Sequence, residues 1–201
     1  DFVHGLVPGG RLLEIGCAYG FFLKEARDRF DVTGVEISRA ATDACSESGL
    51  NVINGEATAE TLAPMGMFDA IVMLDVIEHL PDPAESIRLC ASHLKDGGVL
   101  VLTTGVFSSR AATIAKSKWR RMTPPQQRGG VTPARMRNLA EAHGLVVESV
   151  RHPWKLVPLS LIAFQLRRMA GRGGTSSRVP DIGVPVNLFD AMRVVFRKRA
   201  A

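Results

Sequence analysis

"LLEIGCAYGFFLKEA", Leu12–Ala26, sets a carboxylate at the end of an apolar run, follows it with two glycines, and opens into a helical pattern. A strand that turns through glycines into a helix is the first unit of a βαβ fold. Ligands in such folds sit beyond the carboxyl ends of the strands, where strand order reverses. The missing side chains of Gly16 and Gly20 are expected to let a ligand approach the backbone closely. A dinucleotide fingerprint needs G-x-G-x-x-G, which "GCAYGF" does not supply. Glu14, just before the turn, would repel a pyrophosphate and favour a cationic ligand.

The same unit recurs downstream. "FFLKEARDRF" reads as a helix, "VTGVEI" as a strand, "RAATDACSESG" as a helix ending on Gly49, and "LNVING" as a strand. A buried strand follows through about Leu74, then the helix "DPAESIRLCASHL" with Asp82 as N-cap and Pro83 in its first turn, then the strand "GGVLVLTTG". Repeated βα units predict a doubly wound, Rossmann-like α/β fold with a mostly parallel sheet. After Gly105, "VFSSRAATIAKSKWRRM" reads as a helix and "TPPQQRGG" as a loop. "TPARMRNLAEAHG" is a helix with Thr132 as N-cap, Pro133 at its first position and Gly144 past its end. "LVVESVRH" and "AMRVVFRK" are strands, with a broken apolar section and a Gly/Ser-rich link between them.

At 201 residues and 46% hydrophobic the chain reads as one globular domain. Cys17, Cys45 and Cys90 form no CxxC pair, and their odd number argues for free thiols and a cytoplasmic setting. No signal peptide or membrane-spanning run is evident. The opening "DFVHGLVPGG" has no methionine and only part of a helix before the first strand, which points to a segment upstream. The formal charge of +5 is unevenly spread: residues 1–105 are net −9 and residues 106–201 net +14. The basic half suits an anionic small molecule, nucleic acid or a membrane surface, or is simply a solvated exterior.

A second carboxylate, Glu36, ends "VTGVEIS", where it can accept both hydroxyls of a ribose. A third, Glu56, follows the next strand in "INGEA". Three carboxylates at three successive strand ends suit an adenosine-bearing ligand that carries a positive group, and S-adenosylmethionine is such a ligand.

Taken together, "LLEIGCAYG", "VTGVEIS", "NGEA", "FDAIVMLDVIEHLPDP" and "LKDGGVLVLTT" resemble the successive motifs of class I S-adenosylmethionine-dependent methyltransferases. The resemblance covers roughly residues 8–150. More loosely, "NLFDAMRVVFRKR" is similar to the antiparallel last strand of that seven-stranded fold. The nearest subgroup includes ubiquinone-pathway O-methyltransferases and many small-molecule and glycan-associated methyltransferases. The resemblance implies that Glu14 meets the methionine amino group, directly or through water, beside a wall of Gly16, Cys17, Ala18 and Gly20. It implies that Glu36 holds the ribose, that Ile37 packs on the adenine, that Glu56 and the Ala57 backbone meet the adenine's polar edge, and that Leu74 and Asp75 close the far side. Ala18 stands where the family's turn has a glycine, and is tolerated if its φ is negative. Glu56 stands where many relatives have Asp, a longer arm for the same acceptor.

Asp75, Glu78 and His79 share one short turn after the fourth strand, aimed at the methyl donor. His79 is the candidate base and Asp75 its catalytic neighbour, because an imidazole that titrates near neutrality can take a proton from a substrate hydroxyl. The competing reading is that His79 shapes the pocket by hydrogen bonding. Some relatives bind a divalent metal through a Glu-x-x-Glu-His turn. Here Asp75 shortens the first ligand and no further ligand stands out, so a metal is not the favoured reading and no metal site is assigned. Tyr19 and Phe21 lean on the site, or Phe21 packs in the core. Trp119, Arg120, Arg121 and Arg128 are candidates for gripping an aromatic or anionic acceptor, against a solvated basic loop. "WKLVPLSLIAFQLRRMAGR" reads as a lid, or as a short amphipathic helix able to rest on a membrane or cover a lipid-like substrate.

The sequence thus predicts a single domain over 1–201, with a cofactor-binding half over about 8–105. The substrate-side half, about 106–201, carries the basic loop and a lid-like insertion over 153–186. The expected reaction is methyl transfer from S-adenosylmethionine to a small-molecule acceptor, with oxygen favoured, by in-line displacement that leaves S-adenosylhomocysteine. A nucleic-acid methyltransferase and a catalytically silent cofactor-binding module are the alternatives, the former made less attractive by the absence of an aromatic-rich basic strand.

Overall fold

The computed structural model describes residues 2–105, 133–169, 182–187 and 191–200. The helix expected over 106–122, the loop after it, the Thr132 cap, the Gly/Ser-rich link and the side chains of Trp119, Arg120, Arg121 and Arg128 lie outside the described residues.

The first half alternates strands and helices. β1 (Gly10–Ile15) leads to α1 (Phe21–Ala26), β2 (Phe30–Glu36), α2 (Arg39–Glu47), β3 (Val52–Asn54) and α3 (Ala59–Leu62) with a 3-10 turn at Ala63–Met65. β4 (Phe68–Leu74) follows, then a 3-10 turn at Ile77–His79, α4 (Pro83–His93) and β5 (Leu94–Gly105). The later elements are α5 (Pro133–Glu141), β6 (Leu145–Arg151), β7 (Lys155–Pro158), α6 (Leu159–Met169), β8 (Gly183–Val186) and β9 (Ala191–Lys198).

Leu12, Leu13 and Ile15 of β1, Ala70 to Met73 of β4 and Val99 to Leu102 of β5 are all buried, so these strands have no solvent face. Continuous apolar strands of this kind belong in a parallel sheet covered on both sides. The seven strands run in the order β3-β2-β1-β4-β5-β9-β6. β1 pairs in parallel with β2 and with β4, β2 with β3, and β4 with β5, whereas β6 and β9 are antiparallel. The chain steps outward from β1 through β2 to β3 and then returns to the other side of β1 as β4. Strand order therefore reverses at β1 and β4, and the crevice above their carboxyl ends is where this architecture binds ligands.

The helix boundaries follow their capping chemistry. Asp82 Oδ1 accepts from the Ala84 and Glu85 amides at 2.9 and 3.1 Å, with Pro83 in the first turn of α4, as the sequence predicts. Ser38 caps α2 by accepting from Ala41 N, and Thr58 caps α3, which the sequence reading did not anticipate, by accepting from Thr61 N. α1 is shorter than expected. The spacing of Phe22, Ala26 and Phe30 imitates one helical face, but Phe30 is buried as the first residue of β2, paired with Gly10. Phe21 is 74% exposed, which removes it from the core.

The described residues divide into two compact units. One contains the seven-stranded sheet and helices α1–α5. The other contains β7, α6 and β8, where β7 and β8 form an antiparallel pair with Leu156 opposite Pro185 and Val157 opposite Val184. In that unit the Leu159 amide donates to Ile182 O and Asn187 Nδ2 to His152 O.

β9 is tied to the sheet unit by its last residues. Arg197 donates Nη1 to Gly97 O at 2.8 Å, Nη2 to Leu6 O at 3.3 Å and Nε to Glu148 at 2.6 Å, while Lys198 Nζ donates to Ala91 O and Leu94 O. Replacing Arg197 with Ala leaves two carbonyls and a carboxylate without a charged donor. An expected loss of about 2 kcal/mol corresponds to a fall in Tm of roughly 4–8 °C for a chain of this size, to be read by calorimetric melting.

Candidate functional site

The C-terminal ends of β1, β2, β3, β4 and β5 carry most of the residues singled out in the sequence. Glu14, next to last in β1, is 3% exposed, and its Oε2 is buried with no hydrogen-bond partner among the described residues. Burial first, and the nearby Glu36 carboxylate second, push its pKa up to about 8. A buried carboxyl with a free oxygen stays protonated near neutrality unless a cation arrives beside it.

Glu36, at the end of β2, is buried but fully engaged. Its Oε2 accepts from the Ala18 amide at 2.9 Å and its Oε1 from the Ser38 amide at 2.8 Å. Each oxygen keeps lone-pair capacity for one more donor. Asn54, at the end of β3, was not foreseen: its Nδ2 donates to Glu36 O, Ile37 O and Thr42 Oγ1, fixing the backbone where β2 leaves the sheet. An amide side chain at a strand end in "VING" was the available signal. Ile37 is exposed, a large apolar side chain beside Glu36, and Glu56 is exposed on the loop after β3, next to half-buried Ala57.

The turn is packed more tightly than the sequence reading foresaw. Gly16 and Gly20 have φ of +72° and +69°, which favour glycine, but the space beside them belongs to the protein. A Cβ on Gly16 would lie 2.6 Å from Val76 Cγ2, and one on Gly20 would lie 2.5 Å from Leu50 Cδ1 and 2.9 Å from Cys45 Sγ. Their missing Cβ atoms leave room for these neighbouring residues. The condition on which Ala18 was read as tolerated, a negative φ, is not met: its φ is +44°, a conformation disfavoured for residues with a Cβ. Its peptide is held on both sides, the amide by Glu36 and the carbonyl by the Cys45 thiol. Cys17 is buried, and burial and then Glu14 push its thiol up to about 12, so it is an inert thiol.

Beyond β4, half-buried Leu74 precedes Asp75, which has φ +55°. The Asp75 amide donates to Thr103 O and Thr103 Oγ1, and the Thr103 hydroxyl is also 3.0 Å from Asp75 Oδ1. Thr103 was missed in the sequence, and its partnership with Asp75 arises only because β4 and β5 pair in register at Leu74 and Thr103. His79 is exposed at the end of its 3-10 turn. Glu78 accepts from the Gly105 amide through Oε1, while its Oε2 is buried with no partner among the described residues. No cluster of three His, Cys, Asp or Glu suited to a metal occurs among the described residues.

A protein-family model described as a methyltransferase domain matches residues 2–150. The chain belongs to that family. Its fold is the class I S-adenosylmethionine-dependent methyltransferase fold, shared by a magnesium protoporphyrin IX methyltransferase from Synechocystis with bound S-adenosylhomocysteine (TM-score 0.62, 16% identity, 98% of this chain and 80% of that one). An S-adenosylmethionine-dependent methyltransferase from Mesorhizobium loti is similar in fold (TM-score 0.62, 16% identity, 98% and 96%). Among sequence relatives, a protein named ubiquinone biosynthesis O-methyltransferase from Caulobacter sp. (strain K31) is 40% identical over 123 residues, 56% of this chain and 48% of its own. One of the same name from Ralstonia nicotianae is 32% identical over 124 residues, 57% of this chain and 52% of its own. The chain spans about half the length of these curated relatives.

The methyltransferase's own atoms suit S-adenosylmethionine. The free Glu14 Oε2 calls for a cation, and the cofactor carries an ammonium and a sulfonium; the Glu36 oxygens have room for hydroxyl donors.

The raised Glu14 pKa sets two outcomes. In the unfolded chain this carboxyl titrates near its ordinary value, so between about pH 4.5 and 8 the folded state binds the extra proton and stability falls as pH rises. Glu14→Gln is expected to melt progressively higher than the parent as pH is raised from 5 to 9. Binding of S-adenosylmethionine at pH 7 is expected to release close to one proton, read by calorimetry in buffers of different ionisation enthalpy, and Glu14→Gln is expected to abolish that release.

Proposed function

We propose that this protein transfers the methyl group of S-adenosylmethionine to an oxygen of a small, apolar or lipid-like molecule. The observation that carries the reading is the buried, unpartnered Glu14 carboxyl beside the engaged Glu36 at the reversal of strand order, where a cationic nucleoside is the complementary ligand. The O-methyltransferase names of the sequence relatives support oxygen as the acceptor atom.

Bound S-adenosylmethionine supplies a methyl group already activated by its sulfonium and departs as S-adenosylhomocysteine, so the protein's task is chiefly alignment. In this reading Glu14 neutralises the ligand's ammonium, with Gly16, Cys17, Ala18 and Gly20 as the adjoining wall. Glu36 accepts from the ribose hydroxyls. Ile37, Glu56 and Ala57 border the adenine, and Leu74 and Asp75 the opposite side. His79 takes the proton from the acceptor hydroxyl, and Asp75, braced by Thr103, orients the turn that carries it. Residues 106–201 furnish the acceptor side, with the insertion over 153–186 as its apolar element. We place the enzyme in the cytoplasm, a setting that its three free, buried cysteines support.

The lipid-like character of the acceptor is supported by the smaller unit. Trp154 and Leu156 are 70% and 75% exposed, and Ile182, Leu161 and Phe164 are exposed as well. Exposed apolar side chains of this kind suit a peripheral membrane contact. No helix among the described residues is long and apolar enough to cross a membrane.

The test is incubation with methyl-labelled S-adenosylmethionine and a lysate, followed by partition into organic, small aqueous and nuclease-sensitive fractions. Label is expected in the organic phase, as a methyl ether. Label confined to nuclease-sensitive polymer would overturn the reading. His79→Ala is expected to lower the labelling rate about 100-fold while leaving S-adenosylhomocysteine affinity within a factor of two, by calorimetry.

A further inference from the structure

Three observations meet at Ala18. Its φ of +44° lies in the left-handed region, where a Cβ is disfavoured. Its amide donates to Glu36 Oε2 at 2.9 Å, so the conformation of this residue decides whether that oxygen is correctly held. Its carbonyl accepts from the Cys45 thiol at 3.3 Å, across 27 residues of sequence. Cys45 is fully buried on α2, and the thiol of Cys17, its neighbour, is 3.9 Å from the same carbonyl. A Cβ on Gly20 would lie 2.9 Å from Cys45 Sγ, so the glycine both turns the chain and leaves the thiol room to approach.

We propose that Cys45 is a positioning residue for cofactor binding: its thiol holds the Ala18 peptide in the left-handed conformation that presents the Ala18 amide to Glu36. The argument runs from backbone energetics. A strained residue persists only when its surroundings over-determine it. Ala18 is restrained on each side of its Cα by residues on β2 and α2, within a turn closed by the Gly20 amide on Cys17 O at 2.8 Å, and the Cys17 thiol makes a longer contact of 3.9 Å to the same Ala18 carbonyl. With the Cys45 thiol gone, the Ala18 carbonyl keeps only the longer Cys17 contact, Ala18 relaxes toward negative φ within its turn, its amide moves off Glu36 Oε2, and the carboxylate loses one of the two backbone donors that aim it. A glycine at position 18 needs no such restraint, because it enters the left-handed region without steric cost. The role assigned to Cys45 is therefore conditional on Ala18, which separates it from simple core packing.

The proposal rests on the assignment of S-adenosylmethionine as cofactor, and its test has one arm that needs no ligand. Hydrogen exchange of the Ala18 amide, followed by NMR in the ligand-free protein, is expected to quicken about 10-fold in Cys45→Ala and to stay near the parent rate in Cys45→Ser, whose hydroxyl also donates. Calorimetric titration with S-adenosylhomocysteine is expected to show affinity about 5-fold weaker in Cys45→Ala, near parental in Cys45→Ser, and unaffected by Cys45→Ala in an Ala18→Gly background. Equal loss of affinity in both backgrounds would make Cys45 a packing residue and overturn the proposal. Unchanged Ala18 exchange in Cys45→Ala would overturn it as well, whatever the cofactor proves to be.

Discussion

Parallel pairing of β1 with β2 on one flank and β4 on the other is the constraint from which the rest of the molecule follows. A strand with neighbours on both sides and helices over both faces has nowhere to place a polar group except at its ends. Glu14 therefore occupies the only kind of position on β1 where a carboxylate can survive, and even there it is buried enough to remain protonated near neutrality. The same pairing aligns Glu14 with Gly34 on one side and Val72 on the other. The switch in strand direction then opens the crevice directly above it. Fold and ligand charge are two readings of one topological fact.

Glu14 and Glu36 illustrate how two carboxylates on adjacent strands come to differ. Glu36 is the last residue of its strand, and it meets the Ser38 amide of its own turn and the Ala18 amide of the turn after β1. Glu14 is buried near the Glu36 carboxylate with one oxygen unmet among the described residues. One carboxylate is held ready as an acceptor, the other as a site for positive charge. Neither property belongs to the residue type; each is set by which backbone donors the turn brings near.

The sequence made much of this legible. Buried strands such as "FDAIVML" and "GVLVL" announce themselves as continuous apolar runs, and the Asp82-Pro83 start of α4 follows from local chemistry alone. What it concealed depends on contacts between distant residues. The end of α1 was hidden because Phe30 keeps helical spacing with Phe22 and Ala26 while belonging to β2. The positive φ of Ala18 was hidden because the groups bonded to its amide and carbonyl, Glu36 and Cys45, lie 18 and 27 residues away. Asn54 and Thr103 acquire meaning only through strand register. The β7–β8 pair was missed because each strand is four residues long, and Pro158 and Pro185 interrupt the alternation that would have revealed it.

The place of β9 has a bearing on how the molecule is made. It lies between β5 and β6, yet it follows both in the chain, and β6 has no other strand partner among the described residues. As the polypeptide emerges during synthesis, β6 appears with its hydrogen-bonding edge unmatched and stays so until β9 arrives and inserts. The parallel half, from β1 to β5, has no such dependence and can condense earlier. The half of the sheet that bears Glu14 and Glu36 is thus assembled from segments that exist before the last strand is translated, and closure of the sheet is a late, long-range event.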